Sequence, residues 1–206
     1  LVLSPWLAGW IGLSGLFFLT AVLALGGMAV VRWSVPDEPQ TQAPSDRSGL
    51  AEVVCDSGLM RLNLGVFILH AVQLAMWVAI PAMLVQAGLD KLDHWQIYLP
   101  AVVASFVVMV LVFAMERRGY LRAAFLVAVA MIALVQLALL WVASITPSLH
   151  ALAGLLFLFF CGFNVLESIM PSLTSRVAPQ ASRGAAMGLY NTLQSLGFFA
   201  GGWLGG

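Results

Sequence analysis

Four stretches of this chain contain no Asp, Glu, Lys or Arg: Leu1 to Val31, Leu62 to Leu89, Ala123 to Leu166 and Gly184 to Gly206. About 20 consecutive apolar residues span the hydrocarbon core of a bilayer, so the third stretch has to hold two crossings. In oil the backbone must satisfy its own hydrogen bonds, which a helix does within one segment, whereas barrel strands would alternate in polarity at every second residue. The expected fold class is therefore all-α, a polytopic transmembrane helix bundle. The chain is 62% hydrophobic and 9% charged, against roughly 45–50% and about 25% in soluble domains, which excludes a water-soluble fold. The formal net charge is zero, so electrostatics give no case for nucleic acid as a partner.

Counting crossings along the chain gives residues 1–9 as the tail of one helix and Gly12 to Val31 as the first complete crossing. Arg32 to Arg61 breaks the apolar pattern with Pro36, Pro39, Pro44 and mixed polar residues, the signature of a solvated linker. Further crossings are expected at Leu62 to Gln86, Gln96 to Met115, Leu121 to Ile145, Leu149 to Leu173 and Gly184 to Leu204. The chain starts at Leu1 and stops at Gly206 inside apolar stretches, and is expected to be a piece of a longer polypeptide.

Basic residues orient these segments. Arg32, Arg47 and Arg61 lie on or beside the linker, Arg117, Arg118 and Arg122 sit in the turn after Met115, and Arg176 and Arg183 sit in the turn after Leu173. These connections share one side and hold eight of the nine Lys and Arg, while Lys91 lies on the other. The positive-inside rule puts the linker side in the cytoplasm.

Glu167 is the one carboxylate well inside an expected crossing. A charge there costs about 2.5–3.5 kcal/mol on insertion scales, so it should face the protein interior or an aqueous cavity. A carboxylate held away from bulk water can alternate between charged and protonated forms, as a proton carrier or a counter-ion for a cationic substrate requires. The plainer reading is a structural carboxylate bonded to a neighbour such as Asn164 or Arg176.

Asn164, Glu167 and Ser168 share a helical face by their spacing of three and four. His70 with Gln73, and Asn191 with Gln194 and Ser195, form comparable stripes in two other crossings. Interhelical hydrogen bonding explains any one stripe; three in separate helices point to a shared aqueous path. Gly197, Gly201 and Gly205 form a small-xxx-small series, paralleled by Gly202 and Gly206, which lets helix backbones approach closely. Pro81, Pro100 and Pro171 can kink their helices. Cys55 and Cys161 have no partner at disulfide or metal-ligand spacing, and His70, His94 and His150 form no metal pattern. No metal or other cofactor is expected. The absence of a nucleophile with an evident base, or of a phosphate-cradling glycine loop, argues against an enzyme.

The run FNVLESIMPSLTSRVAP from Phe163 to Pro179, followed by RGAAMGLYNTLQSLGFFAGG from Arg183 to Gly202, resembles the major facilitator superfamily of transporters, most closely its YajR-type bacterial members. That family has twelve helices in two six-helix halves joined by a long cytoplasmic loop. On its pattern, residues 1–31 are the end of helix 5 plus helix 6, residues 32–61 the cytoplasmic central loop, and residues 62–206 a partial second half, helices 7 to 11. Ser4, Pro5, Ala8 and Gly9 occupy the places of an antiporter motif of the fifth helix. Glu116, Arg117 and Gly119 stand in for the family's degenerate Asp-Arg-x-Gly-Arg loop signature between helices 8 and 9, with Tyr120 where a basic residue is expected.

The resemblance implies alternating access, with two bundles rocking about a midplane cavity in the bacterial inner membrane. It also implies a proton-coupled exporter of small amphipathic or cationic compounds that is monomeric when full length. Its partners would be the lipid bilayer, small-molecule substrate, protons and the missing helices of the same polypeptide. Glu167 and His70 are the proton-coupling candidates; Gln73, Asn164, Ser168, Asn191 and Gln194 are the cavity-lining candidates. A nutrient importer on the same scaffold and a non-transporting membrane scaffold or sensor are the alternatives.

Overall fold

A computed structural model describes residues 3–34, 48–117 and 119–206. The chain forms two units, Leu1–Pro44 and Ser45–Gly206. Helices make up both, and the described residues include no strand, as the self-satisfying backbone of the long apolar runs requires.

The first unit is α1, Leu3–Ser34, interrupted at Gly12, whose φ of 69° and ψ of 174° are not helical. A side chain is strained at that φ, and glycine is not. The break falls at the residue expected to start the first complete crossing.

The second unit holds α2 (Ser48–Cys55), α3 (Ser57–Gln86), α4 (Trp95–Arg117), α5 (Leu121–Ala143), α6 (Leu149–Val177) and α7 (Arg183–Gly205). Among the described residues, five helical spans are long and apolar enough to cross a membrane: Gly9–Ser34, Ser57–Gln86, Lys91–Val110, Leu121–Ala143 and Leu149–Val177. The sixth expected crossing is helical as α7, whose 23 residues extend about 35 Å at 1.5 Å per residue. It is less apolar than the other five because Asn191, Thr192, Gln194, Ser195 and several glycines interrupt it.

Both faces of α5 are apolar. Ala128, Ile132, Val135, Leu139 and Val142 recur every three or four residues and are buried, while Leu134, Leu137, Leu140 and Trp141 are each more than 60% exposed. A surface of that kind is stable against lipid and not against water. The interior is one large cluster in which Phe159, Leu152, Leu156 and Met170 of α6 pack against Val66, Ile80 and Leu84 of α3. At Gly162 the α5 and α6 backbones come close: an added Cβ would meet the Ala128 carbonyl oxygen at 3.1 Å.

Helices α3 and α7 run parallel and in backbone contact. Cβ atoms added at Gly197 and Gly201 would meet the carbonyl carbons of Phe67 at 3.1 Å and Ala71 at 2.8 Å, and one at Gly205 would meet Ala75 Cα at 3.0 Å. The glycine spacing of four thus follows Phe67, Ala71 and Ala75 step for step. Pro81, Pro100 and Pro171 lie inside helices that continue through them.

The expected linker is shorter than its polar composition implies. Helix α1 runs through Arg32 to Ser34, α2 occupies Ser48–Cys55, and α3 begins at Ser57 rather than Leu62. The Asp56 carboxylate caps α3 by accepting from Leu59 N–H at 2.8 Å, which satisfies an orphan donor and starts the helix before the apolar run does. Val53 and Leu59 are buried with Ala178 and Ala186, so α2 docks on the ends of α3, α6 and α7. Residues 35–47, with the three prolines and Arg47, lie outside the described residues. The remaining helix ends fall within four residues of expectation; α6 runs on to Val177 because a polar end remains helical beyond the apolar zone.

Candidate functional site

His70 projects from α3 into the contact with α6 and α7 and is 1% exposed. Its ring lies edge-on between Phe163, 5.8 Å away, and Phe198, 4.8 Å away. These apolar walls lower the local dielectric and strengthen every polar contact inside them. Nδ1 is 2.9 Å from the Val66 carbonyl oxygen, an acceptor, so Nδ1 carries a hydrogen. In the neutral ring Nε2 is then an acceptor, and it receives the Gln194 Nε2–H at 2.8 Å.

Glu167 reaches the same point from α6. Its Oε2 lies 3.2 Å from His70 Nε2 and, that contact apart, has no hydrogen-bond partner among the described residues. Its Oε1 accepts from Gln194 Nε2 at 3.5 Å, at the long limit. One residue from each of the three polar stripes therefore meets the other two across three helices. Glu167 pairs with His70 and Gln194 rather than with Asn164. The cluster is not sealed, for the Glu167 side chain is 38% exposed while its Oε2 is buried.

Protonating the imidazole turns Nε2 into a donor aimed at Oε2 of Glu167, creating a charge-assisted bond. The Gln194 amide, which can donate or accept, must then turn its oxygen to the ring. A proton gained by the imidazole would thus change contacts made by side chains on α3, α6 and α7 together.

The remaining polar candidates divide. Asn164 donates to Ser105 Oγ at 2.8 Å and so ties α6 to α4, and Ser168 donates to the Val165 carbonyl of its own helix. Gln73 has a buried Oε1 without a protein partner among the described residues. Asn191 is exposed, as is Ser195, whose hydroxyl returns to the Asn191 carbonyl at 3.0 Å. Buried Asn63 and Tyr190 are polar residues of the same interior that periodicity did not single out, although Tyr190 stands one turn before Gln194.

Side chains of Ser4, Pro5, Ala8, Glu116 and Arg117 lie outside the described residues. Gly9 is exposed on α1, and Gly119 turns the chain between α4 and α5 at a φ of 86°, which favours glycine. Cys55 is exposed and Cys161 buried. No three His, Cys, Asp or Glu among the described residues are grouped to hold a metal.

Comparison with known proteins bears on what such a bundle is. The chain is 34% identical over its whole length to the inner membrane transport protein YajR of Escherichia coli, covering 46% of that protein. It is 27% identical over 97% of its length to an uncharacterized transporter of Buchnera aphidicola, covering 52% of it. The chain thus spans about half the length of these curated relatives. The Major Facilitator Superfamily model matches residues 1–202. With a helix-only fold of the expected order and a family match across nearly every residue, the chain belongs to the major facilitator superfamily.

Proposed function

We propose that the protein of which this chain is part moves small molecules across the bacterial inner membrane by alternating access, driven by protons and working as an exporter or antiporter. The observation that carries this reading is the Glu167–His70–Gln194 cluster, in which a lone intramembrane carboxylate and an imidazole stand 3.2 Å apart. Intramembrane ionisable groups are costly and mark substrate and proton pathways. Along their own helices the basic side chains closest to His70 and Glu167 on the Arg61 and Arg176 side are nine residues away, roughly 13 Å at the helical rise. His70 is accordingly the ionisable side chain in contact with Glu167 within the bundle.

The name of the Escherichia coli relative supports the inner membrane. The arginine-bearing helix ends support a cytoplasmic linker side. A single carboxylate as counter-ion favours a cationic or amphipathic substrate, with Gln73, Asn191 and Gln194 lining its path. Asn164 and Ser168 have donors engaged within the bundle, which favours packing roles for them. The full-length protein in proteoliposomes containing a pH-sensitive dye, challenged with a panel of lipophilic cations, tests the reading. Cation-dependent proton movement that disappears in Glu167→Gln at normal abundance is the expected result. Proton movement unchanged by that substitution would remove Glu167 from the coupling role.

A further inference from the structure

Two polar groups that the cluster does not use lie directly beneath it. Asn63 on α3 is fully buried, and its Oδ1 has no hydrogen-bond partner among the described residues; its Nδ2 has the Met60 sulfur at 4.0 Å. Tyr190 on α7 is 2% exposed, and its hydroxyl is likewise unpartnered there. Unpaired buried polar atoms are destabilising, and native interiors satisfy them with protein groups or ordered water.

The positions of these groups are specific. Asn63 precedes His70 by seven residues, two helical turns on the same face, and Tyr190 precedes Gln194 by four, one turn on the same face. Because α3 and α7 run parallel in backbone contact, both steps lead toward the end of the bundle that holds Arg61, Arg176 and Arg183. Tyr190 is also within electrostatic reach of Glu167. Among the described residues, the titratable groups near Glu167 include His70 from α3 and Tyr190 from α7. Tyr98 of α4 stacks on Trp77 at 5.5 Å, two turns beyond His70 in the opposite direction.

We propose that Tyr190 and Asn63 form, through ordered water, a buried polar relay that carries protons between Glu167 and the arginine-bearing end of the bundle. The Tyr190 hydroxyl accepts a proton on its oxygen from one side and releases its own to the other, so it ends each transfer neutral. The Asn63 oxygen holds the water that continues the path. This inference rests on the reading of Glu167 as the protonated site; Tyr190 passes the proton and Asn63 positions the water.

Exchange of the Glu167 carboxyl proton for deuterium tests the relay without a known substrate. The full-length protein is moved from water to heavy water at acid pH while the carboxyl stretch is followed by infrared spectroscopy, with Glu167→Gln assigning the band. The relay predicts exchange slower on the order of tenfold in both Tyr190→Phe and Asn63→Leu. Ser105→Ala, which removes a polar group outside the column, should exchange at the parent rate. A Glu167 band whose exchange is unchanged or faster in Tyr190→Phe and Asn63→Leu overturns the relay alone. Absence of any Glu167 carboxyl band in the folded protein overturns both the relay and the proton-coupling reading. Should one variant fail to fold, the other decides the question.

Discussion

Nε2 of His70 and Oε2 of Glu167 stand 3.2 Å apart where α3 meets α6, and Gln194 of α7 donates to both residues. Three helices therefore share one hydrogen-bond network. Residues so connected are energetically non-additive, with interaction energies of about 0.5–3 kcal/mol. A double-mutant cycle of His70→Ala and Gln194→Ala in the full-length protein, read by unfolding, should give a coupling in that range. Simple additivity would mean the 2.8 Å contact contributes nothing.

Backbone contact between α3 and α7 predicts a sharp contrast between two glycines. A methyl at Gly201 has no room against Ala71, so Gly201→Ala should destabilise by about 1–3 kcal/mol through overpacking. Gly188 has nothing within 4 Å of an added Cβ, and Gly188→Ala should be neutral or stabilising by up to about 1 kcal/mol from helix propensity. Thermal unfolding of the two variants in detergent checks the order.

Asn164 and Ser105 form a bond between α6 and α4 away from the Glu167–His70–Gln194 cluster. Interhelical bonds in membranes average about 0.6 kcal/mol, so Ser105→Ala should cost about that much stability. Proton movement by the reconstituted full-length protein should remain at the parent level.

The arginine distribution predicts opposite compartments for the two sides of the bundle. Cys55 is exposed and Cys161 buried, so a membrane-impermeant maleimide should label Cys55 and spare Cys161. Labelling of Cys55 is expected in inside-out vesicles only. Asp90→Cys, made in a Cys55→Ser background, should label from the outer face of intact cells. Labelling of both positions from one side would contradict the helix order.

Much of this architecture was legible in the sequence because a bilayer leaves a chain few choices. The apolar runs located the helices, and the backbone breaks at Gly12, the expected start of the first complete crossing. His70, Glu167 and Gln194 stood out because polar groups are scarce in such segments. Spacing could place Asn164 and Glu167 on one side of α6, yet it could not say which neighbouring helix each side chain would meet; Asn164 turns to Ser105 and Glu167 to His70. The helix at Ser48–Cys55 was hidden by its proline-rich approach, since its stability comes from burying Val53 against distant Ala178 and Ala186. Asn63 and Tyr190 were passed over for a related reason: their burial comes from tertiary packing rather than from local pattern.

Protonation of Glu167 itself is the measurement that bears most directly on the proposed mechanism. Dicyclohexylcarbodiimide is lipid-soluble and reacts with carboxyl groups in their protonated form, so labelling of the reconstituted full-length protein, mapped by mass spectrometry, reads that state. The account predicts an adduct on Glu167 whose yield rises as pH falls and is absent from Glu167→Gln. A folded protein in which Glu167 stays unmodified at every pH, while other carboxyl groups react, would contradict it.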